Sequence, residues 1–359
     1  MKQRILVSGV GSQYGGTEIV VSRLIGMLSR EFEFDSISHA NFKQPEYTMN
    51  DNQVIVVPRR RENIFSYEIE MKKIYEDAGD KYQALWHNSN SFSNIDSLKL
   101  AAKNNIPVRI CHFHNTEVIG NEFNKVLHKM HRYQAGKLAT YRLAASREAG
   151  QFAFGDMPFD VFPDAFDVDE FSFSLDARGE VRREFNLLEN HVIGTVGRLA
   201  EQKNQLFLVE LMPEILSVRP DTKLIIVGEG LLKEKILKRA SQLGVAERVI
   251  LTGVRTDVKK ILCACDVFAF PSIFEGLGIA AIEAQANGLP CVLSTNVPDY
   301  AVVSDSAMQL SLQDRKHWIK ALAQLERASF RANPTLLCRF DINSAAQRLA
   351  AYFNGDALK

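Results

Sequence analysis

Glu275 and Glu283 lie in the stretch FPSIFEGLGIAAIEAQANGLP at residues 270–290, with seven residues between them and glycines at Gly276 and Gly278. A carboxylate accepts two strong hydrogen bonds and so grips neutral hydroxyl groups well. Glycines let a backbone come close to a ligand. Residues of these types suit polyol recognition, with Glu283 on a ribose and Glu275 plus the glycine amides on a sugar. The competing reading is two acids near a helix start, where the dipole favours them with no ligand at all. Upstream, GRLAEQKN at 197–204 carries two cations, Arg198 and Lys203, in a loop before a predicted helix. Two cations beside free helix-start amides suit a diphosphate; two solvated surface cations are the plain alternative. At residues 9–18, GVGSQYGGTE forms a glycine-rich turn in which Gly15 and Gly16 open a helix, an arrangement that attracts an anion or a sugar. It is not the dinucleotide fingerprint, because Tyr14 occupies the third glycine position. At 111–115, CHFHN ends a strand whose alternation puts His112 and His114 on one face. They suit contact with a substrate hydroxyl or a structural role. A metal site would need a third ligand, and the neighbouring sequence shows none.

These residues need a frame, and the chain shows an alternation of short apolar runs with helical stretches. Strands are expected at 4–10, 53–57, 82–86, 107–112 and 138–146, and helices at 17–29, 65–77, 95–103 and 122–134. A second series follows, with strands at 191–196, 223–227, 248–251, 267–270 and 291–294, and helices at 206–216, 233–243, 258–264 and 280–287. Such alternation indicates βαβ units and parallel sheets, hence an α/β fold. The break falls in residues 164–174, DAFDVDEFSFS, rich in turn-forming Asp and Ser. An amphipathic helix over 343–353 closes the chain. Every motif follows a predicted strand, which is where open parallel sheets bind ligands.

The 359 residues are too many for one ordinary core, so two domains are expected. A net charge of zero argues against a nucleic-acid partner held by a bulk basic field. The five cysteines form no CxxC; Cys263 and Cys265 fall in an apolar segment and read as buried free thiols, consistent with a reducing cytoplasm. No apolar run reaches the roughly 18 residues of a spanning helix, and the first residues enter a strand without the pattern of a signal peptide. Two stretches, PRRR at 58–61 and KVLHKMHR at 125–132, mix basic and apolar residues. They suit an anionic membrane or a phosphate-bearing lipid acceptor, although charge runs are commonly just solvated faces.

GGTE at 15–18, CHFHN at 111–115, GRLAEQKN at 197–204, VGEG at 227–230, GVRTDV at 253–258 and the Glu-x7-Glu block at 270–290 occur together, in order, over most of the chain. The combination resembles the family-four group of retaining glycosyltransferases, and within it the bacterial enzymes of exopolysaccharide and capsule assembly. The resemblance implies a GT-B fold: two Rossmann-like domains facing each other across a cleft, an acceptor-binding domain at 1–167, a nucleotide-sugar domain at 168–340, and a C-terminal helix in 341–359 packing back on the N-terminal domain. It implies a hexosyltransferase that moves a hexose or N-acetylhexosamine from a nucleotide sugar, UDP-linked rather than GDP-linked, to a saccharide or polyprenyl-diphosphate-linked acceptor. Donor contacts then fall to Gly15, Gly16, Arg198, Lys203, Val254, Arg255, Glu275, Gly276, Leu277, Gly278 and Glu283, and acceptor contacts to His112, His114 and Asn115. Arg198, Lys203, Glu275 and His114 carry the catalytic roles. No cofactor and no metal are implied, since two cations can stabilise the departing diphosphate. The place implied is the cytoplasm, with peripheral contact at the inner membrane. One departure stands out: the family's Asn-Gly-Ile-Asp segment is here Asp164-Ala165-Phe166-Asp167. Other readings of the same residues are a UDP-sugar 2-epimerase of the same fold, a non-catalytic sugar-nucleotide-binding subunit of a transferase complex, and a nicotinamide-dependent oxidoreductase, against which the broken fingerprint counts.

Overall fold

Short β-branched and apolar runs, each too short to pack alone, pair exclusively in parallel and form two sheets. The computed structural model describes residues 2–10, 16–39, 53–118, 122–327 and 334–356. Two units divide the chain: Met1–Phe166 with Phe340–Lys359, and Asp167–Arg339. The division lies one residue before each expected boundary. In the first unit, β1 (Gln3–Ser8), β2 (Phe32–His39), β3 (Gln53–Val57), β4 (Ala84–Ser89), β5 (Val108–Phe113), β6 (Tyr141–Ala144) and β7 (Asp160–Val161) stand in the order β3-β2-β1-β4-β5-β6-β7. In the second, β8 (His191–Val196), β9 (Thr222–Val227), β10 (Val249–Gly253), β11 (Val267–Phe270), β12 (Cys291–Ser294) and β13 (Ala307–Leu310) stand in the order β10-β9-β8-β11-β12-β13. Each sheet is doubly wound, and its strand order reverses where β1 meets β4 and where β8 meets β11. The crevices at the carboxyl ends of those strands are the natural ligand positions.

Both faces of the first sheet are covered. Ile5 and Val7 point to one side with Phe34, Trp86 and Ile110, against helices Gly16–Leu28 and Ile342–Asn354. Leu6 points to the other, with Leu85, Cys111 and Phe113, against helices Ile64–Tyr75, Asp96–Lys103 and Glu122–Leu138. This two-sided alternation follows from the strand period of two. The C-terminal helix belongs to this unit. Asp341 caps it by accepting from Ser344 N–H at 2.8 Å, and Gly355 ends it at φ 79°. Its Phe353 ring meets Phe32, Phe34 and Trp86 at centroid distances of 5.4, 6.0 and 5.9 Å.

Three strands were not legible as apolar runs. β2, FEFDSISH, has five polar residues in eight yet is almost wholly buried. Its Asp35, 1% exposed, is compensated by the Tyr82 hydroxyl at 2.7 Å and Lys81 Nζ at 3.1 Å. β7 is two residues long, too short to register as a pattern, and β13, AMQL, is an edge strand with no buried residue, so it carries no continuous apolar run. Cys111, Cys263, Cys265 and Cys291 are free and buried, and Cys338 is free and exposed. No helix among the described residues is long and apolar enough to cross a membrane.

Candidate functional site

In the second unit the predicted residues collect at the β8/β11 switch. The chain leaves β8 through Gly197, and its loop is laced to the one after β9: Gly197 N–H donates to Val227 O at 2.9 Å and Leu199 N–H to Glu229 O at 2.9 Å. The approach is so close that a Cβ on Gly228 would lie 2.2 Å from Gly197 O, and one on Gly230 2.4 Å from Leu199 O. Only glycine permits two backbones to meet in this way. Gln205, 1% exposed, then braces the loop from below by donating to the Gly197 and Arg198 carbonyls at 3.3 and 3.0 Å.

The same loop is tied to the segment after β11. Ile273 N–H donates to Gln202 O at 2.8 Å, Gln202 Nε2 to Phe274 O at 3.1 Å and Asn204 Nδ2 to Pro271 O at 3.2 Å. Lys203 Nζ reaches Glu275 Oε1 at 2.6 Å and lies 4.9 Å from the centre of the Phe270 ring. Glu275 is buried, 5% exposed. Arg198, directly after Gly197, is exposed and makes no side-chain hydrogen bond or ion pair among the described residues. The loop therefore presents one cation to solvent and holds a second against a buried carboxylate. Gly276, Leu277 and Gly278 follow, all buried; Gly278, at φ 86°, caps helix Ile279–Ala286, on which Glu283 is half-buried. Gln202, Asn204 and Gln205 were not singled out in the sequence, because amide side chains that brace a loop leave no periodic or charge signal.

Arg255 does not join this group. Its guanidinium is bound by two carboxylates: Nε and Nη2 donate to Asp257 at 2.8 Å each, and Nη1 and Nη2 to Glu184 at 2.7 and 3.1 Å. Those hydrogen bonds, to Asp257 first, raise its pKa further above the usual arginine range. Arg255 thus bridges residues 184 and 257, while its neighbour Val254 is exposed.

In the first unit, β4, β5 and the segment after β7 bring together a buried polar cluster at their carboxyl ends. Of the glycine turn after β1, residues 11–15, Gly15 among them, lie outside the described residues, and Gly16 opens helix Gly16–Leu28. His112 and His114 do share a face, with ring centroids 4.0 Å apart. His112 is 1% exposed and its Nε2 donates to Phe162 O at 2.9 Å, so the acceptor contact expected of it is already replaced, at that nitrogen, by a main-chain partner. Its Nδ1 is buried without a hydrogen-bond partner. Burial, followed by repulsion from His114, pushes the His112 pKa well below the usual histidine value. Asn115 turns inward and accepts from Thr116 N–H at 3.0 Å.

His114 is held on both sides, by Asp164 Oδ1 at 3.1 Å from Nδ1 and by Asn88 Oδ1 at 3.0 Å from Nε2. The third group near these histidines, absent from the local sequence, is Asp164, fifty positions from His114 and legible in the sequence as a departure from the family's segment but not as their partner. Ligand atoms of His112, His114 and Asp164 lie within 4.8 Å of one another. Within the group, His114 and Asp164 are in direct hydrogen-bond contact.

Comparison with known proteins agrees with this geometry. The family described as Glycosyl transferases group 1 matches residues 190–327, the part that holds β8 to β13 and both loops. EpsF of Bacillus subtilis, which carries the name of a glycosyltransferase, is 25% identical over 311 residues, 83% of this chain and 80% of that protein. An Escherichia coli enzyme named UDP-Gal:alpha-D-GlcNAc-diphosphoundecaprenol alpha-1,3-galactosyltransferase is 29% identical over 213 residues, 56% of this chain and 55% of its own length. Among solved structures, Anabaena HepE in complex with UDP and glucose superposes with a TM-score of 0.81 at 18% identity, over 98% of this chain and 100% of that one. Residues 190–327 thus match the group 1 glycosyltransferase family, and the chain's two doubly wound parallel sheets have the GT-B fold.

Proposed function

We propose that the chain moves a hexose or N-acetylhexosamine from a UDP-linked donor to a saccharide or polyprenyl-diphosphate-linked saccharide in bacterial surface polysaccharide synthesis, with retention of anomeric configuration. The observation that carries the reading is the loop 197–204, which presents Arg198 and pairs Lys203 with Glu275 at 2.6 Å beside the β8/β11 switch. Two cations at that position suit a diphosphate, and a carboxylate next to them suits sugar hydroxyls. The relatives' names support the donor and acceptor classes: one names a UDP-sugar and a diphosphoundecaprenol-linked acceptor.

In this reading the diphosphate engages Arg198 and Lys203, the ribose hydroxyls Glu283, and the hexose Glu275 with the amides of Gly276 to Gly278. His114 meets a sugar or acceptor hydroxyl. The bond from the anomeric carbon to the diphosphate oxygen breaks as the acceptor oxygen bonds to that carbon on the same face, and the acceptor's proton passes to the departing oxygen. The two cations take up the leaving-group charge, so no metal is required. Peripheral membrane contact has support in helix Glu122–Leu138, where Phe123, Val126, Met130 and Tyr133 are exposed at helical spacing beside Lys125, Lys129 and Lys137.

A panel of UDP- and GDP-sugars, scored for thermal stabilisation and slow donor hydrolysis with and without a chelator, tests the reading without knowledge of the acceptor. A UDP-sugar that stabilises and hydrolyses in chelator is the expected result. Release of the C2 epimer without acceptor would indicate an epimerase, and binding without any turnover a non-catalytic subunit. Product anomers of inverted configuration by NMR would exclude retention.

A further inference from the structure

Asp164 stands where the resembled family carries an asparagine, and toward a histidine the two side chains are not equivalent. The His114 side chain is 1% exposed, and both of its ring nitrogens have partners. A carboxylate in its ionised form only accepts, so the 3.1 Å contact with Asp164 Oδ1 places a proton on Nδ1. An amide in its place offers either a donor or an acceptor and leaves the ring tautomer open.

The Nε2 side is less constrained. With Asn88 oriented as placed, its Oδ1 accepts at 3.0 Å, Nε2 also carries a proton, and the ring is an imidazolium. Asn88 Nδ2 is then buried with no partner. With the amide turned over, Nδ2 donates to a bare Nε2 and the ring is neutral. In both states Nδ1 keeps its proton, and only Nε2 changes. The other titratable ring against His114 is His112, whose Nε2 donates to Phe162 O, and Arg348 bears on His112 from beyond it.

We propose that Asp164 is a positioning residue that locks His114 with its proton on Nδ1 and reserves Nε2, shared with the Asn88 amide, for a substrate hydroxyl. The substrate end of this proposal rests on the function proposed above; the tautomer lock does not. The lock distinguishes this chain from family members with asparagine at the position, because it makes Nε2 the only nitrogen whose protonation can respond to a ligand. The departure at residues 164–167 is then a functional substitution in a place that otherwise reads as linker.

The test uses the full chain with 15N-labelled histidine and long-range 1H–15N spectra at neutral pH, with His114→Gln assigning the signals. The wild type is expected to show a protonated Nδ1 at His114. Asp164→Asn is expected to lose that fixed assignment, and Asp164→Glu to restore it, with thermal melts confirming that each variant folds. With a donor identified, Asp164→Asn is expected to lower kcat by about 10- to 100-fold while donor KM moves by less than about twofold, as for loss of a group that acts through a proton-handling side chain. Rescue by Asp164→Glu would separate this from a packing defect. A wild-type His114 protonated only at Nε2, or an Asp164→Asn spectrum unchanged at His114, overturns the proposal. Failure of every donor would count against the proposed function and leave the spectroscopic result standing.

Discussion

Lys203 and Glu275 illustrate how a pair of residues can be named from sequence while their relation cannot. Each was readable as a ligand contact, but their 2.6 Å pairing makes them a unit in which the lysine is held in place by the acid. Removing the lysine therefore takes away the cation proposed for the leaving group and a partner of Glu275 together. Lys203→Ala is expected to lower kcat by about 100- to 1,000-fold, the scale of losing one preorganised charge-stabilising group, and to weaken UDP binding as well. Glu283→Ala is expected to raise the UDP dissociation constant by about 10-fold or more, since a hydrogen bond to a charged group contributes about 1.5–3 kcal/mol, with kcat changed little. Calorimetric titration with UDP and steady-state donor hydrolysis measure the two effects. Unchanged UDP affinity in Glu283→Ala would remove the ribose from that residue.

Helices and loops decide which of these side chains can act. The loops after β8, β9 and β11 are joined through main-chain hydrogen bonds and the amides of Gln202, Asn204 and Gln205, so Arg198 projects from a braced base. Elsewhere an element shows a face with no structural task. Helix Glu122–Leu138 turns His128, Ala135 and Gly136 inward and leaves Phe123 at 66%, Val126 at 52%, Met130 at 67% and Tyr133 at 59% exposure. An exposed apolar stripe flanked by lysines suits the interface of an anionic bilayer, to which each basic residue contributes about 1 kcal/mol. Sedimentation with vesicles containing anionic lipid should recover the chain. The double change Phe123→Ser with Met130→Ser should release it without lowering the melting temperature. Equal recovery with neutral vesicles, or no loss in the double variant, would dismiss this helix as the contact.

At the scale of the molecule, the two units share a strand order but differ in how they bury histidine. His87 and His128, both in the first unit, are pushed down to about 4 by burial, and His112 lies well below the usual value for the same reason. In the second unit His191 alone is shifted, also downward by burial. An unfolded histidine titrates near 6.5. Between that pH and about 4 the unfolded chain binds protons that the folded unit refuses, so stability present above about pH 6.5 is lost as pH falls. Each such group costs about 1.4 kcal/mol per pH unit in that window. The first unit should therefore unfold earlier on acidification. Trp86 and Trp318, the two tryptophans, lie one in each unit, so melts of Trp318→Phe and Trp86→Phe report on the units separately. Equal loss of midpoint between pH 7 and pH 5 would contradict this account.

Local pattern was enough for most of the architecture. β8, β11 and β12 begin and end where the apolar runs do, because a buried parallel strand is a continuous apolar run whatever its neighbours are, and the edge strand β3 and helix Val258–Ala264 match their expected bounds as well. β2 escaped because its buried Asp35 is neutralised by Tyr82 and Lys81, partners that sequence proximity does not reveal. The same division holds at the sites. Arg198 and Lys203 in 197–204, and Glu275 and Glu283 in 270–290, stand out by residue type and spacing alone. Tertiary structure alone decided that Lys203 is paired with Glu275, that Arg255 is clamped by Glu184 and Asp257, and that Asp164 is the partner of His114. Those outcomes depend on which strand ends become neighbours, and a hydrogen bond between residues fifty or seventy positions apart leaves no periodic trace along the chain.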